Sequence, residues 1–268
     1  MEAIQLTPAV CAAFTAGLRS WRAGLCSADD AYNDVDYAVE TALGAGHDQI
    51  IVGPEPEDVA RPLLEIFAQL SPYHPNEIRL VLPRPGDPRT VAGTGDFAGA
   101  ALAAGSGIVV GNLGLAPHAI PRRFVEWRAF RLDRPAAPQL DSVAEAEHDL
   151  LLALRSGSEI FNQWSGQRID PELQRALTRV REGGAVNALP SGYDARSTRL
   201  SARAVLVWEI VQLATTPTGA SSAWEISAHA AELRKLQQSA EHALMAAINT
   251  PFRQGQSTSN YPDSARNT

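Results

Sequence analysis

Lysine is almost absent from this chain: of 23 basic residues 22 are arginine, and Lys235 stands alone. A phosphate-binding P-loop needs a lysine after its glycines, and no Gly-Lys-Ser/Thr occurs. Schiff-base chemistry would fall to Lys235, whose polar, helical surroundings suit a solvated surface residue. Cysteine is scarce as well. Cys11 and Cys26 are too few for a disulfide framework or a zinc site, and they fit a reducing compartment. The apolar N-terminal stretch is broken by Arg19 and Arg22, so neither a signal peptide nor a membrane span is expected. A cytoplasmic location is the expectation that follows.

What remains is an ordinary globular composition. The 268 residues are 45% hydrophobic and 20% charged, enough to bury a core in one large domain or two smaller ones. The net charge of −7 is unevenly placed: residues 1–60 carry ten acids against two arginines, and the other 208 carry twenty acids against twenty-one bases. Asp29, Asp30, Asp34, Asp36 and Glu40 crowd one short segment. That charge argues against nucleic acid and leaves a solvated helix face or a docking surface for a basic partner.

Local signals outline the elements. Thr7-Pro8 opens a helix along which Val10, Phe14, Leu18, Trp21 and Leu25 share a face. Ser27 and Asp30 form a capping-box pair before a second helix whose Val35, Val39 and Ala42 face inward. Strands are expected at 49–53, 78–82, 107–111 and 124–132, with helices at 58–70 and 96–104. The 78–111 stretch reads as a βαβ unit, so the predicted fold is α/β with a small mixed, largely parallel sheet and flanking helices.

Beyond 135–140 every segment has helical period, which predicts an all-helical C-terminal half over 140–252 on an α/β domain spanning 1–135. Ser142 and Glu145 cap one helix, Asp170-Pro171 starts another, and Ser222 and Glu225 cap the last. The run 200–214 is apolar almost all round and is predicted to be the central helix. Residues 253–268 are too polar to offset their ordering entropy and read as a disordered tail.

The run LVLPRPGDP, with GDFAGAALAAGSGIVV and GLAPHAIPRRFVEW behind it, resembles a family of uncharacterised proteins from high-GC Gram-positive bacteria. Its members share a Leu-Pro-x-Pro-Gly-Asp-Pro motif and a helical C-terminal half. The resemblance runs from about Ile78 to Pro251 and implies no activity.

The best candidate ligand site is the loop after Leu82. Arg84, Asp87, Arg89, Gly93, Gly95 and Asp96 converge there on a sheet edge, offering two guanidiniums for an anion and two carboxylates. The plainer alternative pairs Arg84 with Asp87 and makes Asp96 the cap of the next helix. Gly93-Thr-Gly95 resembles a dinucleotide loop, yet it lies too far from its strand and no acidic residue follows to hold a ribose. Glu145-x-x-His148 has di-iron spacing but no second copy. His118 is expected on a loop between the last two strands, where it could join the Arg84 edge.

Arg122, Arg123, Arg128, Arg131 and Arg134 interleave with Phe124, Trp127 and Phe130, which reads as core aromatics beneath an arginine-bearing open face. No nucleophile with its base can be assembled, and no cofactor or metal is expected. The expected role is an accessory or protein-interaction factor with a protein partner or a second copy of itself. The alternative is an enzyme or sensor that binds a phosphate or carboxylate at 84–96.

Overall fold

The computed structural model describes residues 8–44, 46–54, 59–70, 72–87, 89–91, 95–120, 124–133, 141–164, 178, 189–215 and 223–252. Pro8 fixes the first turn of α1 (Pro8–Arg22), and the face through Val10, Phe14 and Leu18 is wholly buried. Helix α2 (Ala28–Leu43) starts at a complete capping box: Asp30 N donates to Ser27 Oγ at 3.0 Å, and Ser27 N donates to Asp30 Oδ2 at 3.1 Å. Its Val35 and Val39 join the core, and its acids stay on the outer side.

Six strands form one sheet: β1 (Asp48–Val52), β2 (Arg61–Pro62), β3 (Ile78–Val81), β4 (Gly107–Val110), β5 (Leu113–Ile120) and β6 (Phe124–Arg131). Helix α3 (Leu63–Leu70) follows β2, and α4 (Asp96–Ala104) lies between β3 and β4. The spatial order is β2-β1-β6-β5-β4-β3, and among the described strands only β1 and β6 run parallel. The sheet is therefore mixed and mostly antiparallel, against the largely parallel sheet expected.

Two features make the difference. The link from β3 through α4 is not a parallel crossover: β4 returns antiparallel to β3, with Ile78 opposite Val110 and Val81 opposite Gly107. Moreover, the supposed Gly/Pro loop after β4 is itself a strand. Gly114 and Pro117 lie inside β5, with Pro117 opposite Trp127 of β6.

Alternation places Ile78, Leu80, Ile108, Leu115, Val125 and Trp127 on the sheet face covered by helices. There the Phe14 ring meets Trp127 edge-on, with centroids 4.7 Å apart. The opposite face carries a smaller cluster of Val81, Val109 and Ala116 beneath Phe97 and Ala101 of α4. Phe97 fits because two strand residues lack side chains. A Cβ on Gly114 would lie 2.6 Å from Phe97 Cδ2, and one on Gly107 would lie 2.9 Å from Phe97 Cζ.

In the C-terminal part, α5 (Val143–Trp164) begins at the Ser142–Glu145 capping box, followed by α6 (Ala195–Thr215) and α7 (Ala223–Asn249). Asp194 Oδ1 accepts from Arg196 N and Ser197 N, both at 2.8 Å, and opens α6. The central position belongs to α7, which packs on α5, α6 and β3, rather than to the apolar run 200–214. Nor is this part all helical. The irregular stretch 189–194 reaches back to α1, where Ser20 Oγ donates to Ser191 O at 2.8 Å. The helix expected from Asp170 and the tail at 253–268 lie outside the described residues, Thr178 apart.

Candidate functional site

Arg84-Pro85-Gly86-Asp87 is a tight turn: Asp87 N donates to Arg84 O at 3.0 Å, and Gly86 sits at φ +86°, the third-position geometry of a type II turn. The Arg84 side chain leaves this turn for α7, where its Nε donates to Glu241 Oε2. Gln237 Nε2 fills the other carboxylate oxygen at 2.9 Å. Arg84 and Asp87 do pair, but through their backbones. Asp96 is not the cap either: Gly95 holds that position without a side-chain bond, and Asp96 is exposed in the first turn of α4. The Arg89 side chain and Gly93 lie outside the described residues.

The acidic segment forms the outer surface of α2. Asp29, Asp30, Asp34 and Glu40 are exposed, and Asp36 is half-buried, accepting from Gln49 Nε2 at 3.1 Å. Asp34, Tyr37 and Ala38 border a hollow of about 230 Å³ with Ala12, Ala16 and Pro190, and Tyr37 keeps 61% of its surface in solvent. Partial desolvation of the carboxyl where it borders this hollow, and secondarily the charge of Asp30, raises Asp34 above its ordinary pKa although the residue as a whole is exposed.

A larger cleft, about 1110 Å³, opens beside the β3 edge. The turn before β3 contributes Tyr73, Asn76 and Glu77, β3 contributes Arg79, and the β4–β5 turn contributes Gly111 and Asn112. The start of α5 supplies Asp141, Ser142, Val143 and Glu145, and the end of α7 supplies Ala246, Asn249 and Thr250. Asn249 fastens α7 to the sheet edge: Leu80 N donates to its Oδ1 at 2.8 Å, and its Nδ2 donates to Leu80 O at 2.9 Å. Arg19, buried under α7, donates to the carbonyls of Ile248 and Thr250 and to Asn76 Oδ1, closing the helix end.

Arg79 is half-buried, and burial lowers its pKa below the ordinary guanidinium value. Among the described residues its side chain has neither ion pair nor hydrogen bond. The nearby carboxylates serve the backbone. Glu77 Oε2 accepts from His74 N at 2.7 Å, and Glu145 Oε2 accepts from Ser142 N at 2.9 Å and Ser142 Oγ at 2.6 Å. These bonds hold the Glu145 carboxyl below its usual pKa. The sequence gives one signal for this cleft, an arginine interrupting the apolar run from Ile78 to Leu82.

Other candidates disperse. His118 lies within β5 rather than on a loop, opposite Glu126. Phe124 and Phe130 share the sheet side of Arg128, so only Trp127 of those aromatics faces the main core. Arg128 pairs with Glu126, and Arg122, Arg123 and Arg134 lie outside the described residues. Burial pushes the Cys11 thiol up to about 12 and Cys26 up to about 11. Among the described residues no group of three metal-binding side chains forms, and no helix is long and apolar enough to cross a membrane.

The architecture defines an α/β protein whose mixed sheet and C-terminal helices meet around the β3 edge. Residues 11–143 match the family model described as Rv1486c-like protein, N-terminal domain, and residues 144–245 match that of the C-terminal domain. The chain belongs to the Rv1486c-like family, and the two models meet at the first turn of α5. No curated protein and no solved structure matches it.

Proposed function

We propose that this protein is a cytoplasmic accessory factor that acts by binding a basic protein partner on the exposed face of α2. One observation carries the reading: Asp34 and Glu40, one turn to either side of the exposed Tyr37, and Asp29 in the first turn of α2 are exposed and have no ion pair among the described residues. Unneutralised acids around an exposed aromatic ring suit arginine and lysine side chains, which bring both charge and apolar stems. The competing ligand loop at 84–96 loses its main group, because Arg84 is engaged by Glu241.

The test compares the full chain with the variant Asp29→Asn, Asp34→Asn, Glu40→Gln as baits in native lysate. Deleting residues 1–45 would not serve, since it removes the core face of α1. The parent should retain a basic protein that the variant loses, and roughly 0.5 M salt should release it by shortening the screening length to about 4 Å. Identical captures from both baits would refute the assignment.

A further inference from the structure

We infer that the cleft beside the β3 edge binds an oligopeptide through its free α-carboxylate, held on Arg79. The Arg79 guanidinium lies half-buried in the cleft wall and receives no acceptor from the described residues, so its hydrogen bonds are left to water or to a ligand. The cleft's carboxylates do not meet that need: Glu77 and Glu145 are committed to the turns they cap. A ligand carboxylate would satisfy Arg79 with two parallel hydrogen bonds.

The other donors in the cleft point to the same chemistry. Asn76 and Asn112 use their side-chain oxygens internally, Asn76 for Phe252 N at 3.0 Å and Asn112 for the Tyr73 hydroxyl at 2.6 Å. None of the described bonds occupies their NH2 groups, which suit the carbonyls of a peptide. The Tyr73 ring forms an apolar wall, lying so close to the β4–β5 turn that a Cβ on Gly111 would sit 2.2 Å from it.

Charge and size narrow the class further. Glu77, Asp141 and Glu145 outnumber Arg79, so multiply charged phosphates are repelled, whereas a dipolar chain with an ammonium at its far end is accommodated. A cleft of about 1110 Å³ exceeds what a single amino acid fills. Its lining joins the sheet edge to the start of α5 and the end of α7, elements distant in sequence. It shares no residue with the α2 face, so its test is independent of the partner assignment.

The experiment incubates the full chain with mixed-sequence tetrapeptides made either as free acids or as C-terminal amides, and counts retained peptide by mass spectrometry. Free acids should be retained about tenfold or more over amides, the loss expected when a charge-assisted bond is removed. Arg79→Gln should abolish the preference without lowering the melt, because the Arg79 side chain makes no bond in the fold while its backbone pairing with Val109 is kept. Val143→Trp, which narrows the cleft from the first turn of α5, should lower retention with Arg79 intact. Millimolar inorganic phosphate should not compete. Equal retention of acids and amides, retention of neither, displacement by phosphate, or an undiminished preference in Arg79→Gln would each overturn the assignment.

Discussion

Arg84 and Glu241, 157 residues apart in sequence, form the ion pair that ties the Pro-Gly turn to α7. Glu241 is only 7% exposed, so removing Arg84 leaves a buried carboxylate with Gln237 as its remaining donor. Breaking a fully buried pair costs about 3–5 kcal/mol, and the 22% exposure of the Arg84 side chain screens this one to about half that. Arg84→Ala should lower the denaturant midpoint accordingly, and Arg84→Ala with Glu241→Ala should recover part of the loss. An Arg84 reserved for a ligand would leave the midpoint unchanged.

The Asn249 amide stands in for a neighbouring strand at Leu80. Asn249→Ala removes two hydrogen bonds worth about 1 kcal/mol each and should speed hydrogen exchange at Leu80 N–H. Asn249→Asp keeps the acceptor but turns a carboxylate oxygen toward Leu80 O, so it should be no milder than the alanine. Unaltered exchange at Leu80 would show that this edge is closed by something else.

Phe97 fills the space that Gly107 and Gly114 leave open. Gly114→Ala should cost about 1–3 kcal/mol by overpacking, and clearly less in a Phe97→Leu background, where the ring is gone. Equal costs in the two backgrounds would mean that the sheet, rather than the ring, rejects the methyl group.

Cys11 is buried, with its thiol pushed up to about 12 from an ordinary value of 9.0, and its Sγ donates to Ser106 Oγ at 3.3 Å. The folded state therefore holds this proton where the unfolded state has released it. Stability should fall as pH rises between about 9 and about 12, and be insensitive to this group below about 9. Native protein should react slowly with thiol reagents at Cys11 and rapidly once unfolded. Fast labelling of the folded protein would contradict the burial.

Local chemistry made much of the fold legible. The capping boxes at Ser27 and Ser142, the Pro8 start and the core faces of α1 and α2 are written within a few residues. Strand direction is not. A strand, a long turn and a helix can return the chain either way, and α4 with Gly107 and Gly114 resolves that choice only in three dimensions. Strand β5 was hidden by Gly114 and Pro117, whose roles depend on Phe97 and on the pairing with β6. The site residues were hard to read for a related reason. Arg84 reads as a ligand group until Glu241 arrives from the last helix, and the cleft around Arg79 is assembled from segments more than 150 residues apart.

Hydrogen exchange on the complex captured by the full chain tests the central claim most directly. Slower exchange confined to the amides of Ala28–Leu43 and of the neighbouring Leu189, absent when Asp29, Asp34 and Glu40 are neutralised, is the predicted result. Protection elsewhere with α2 unchanged, or a complex that survives neutralisation, would contradict it.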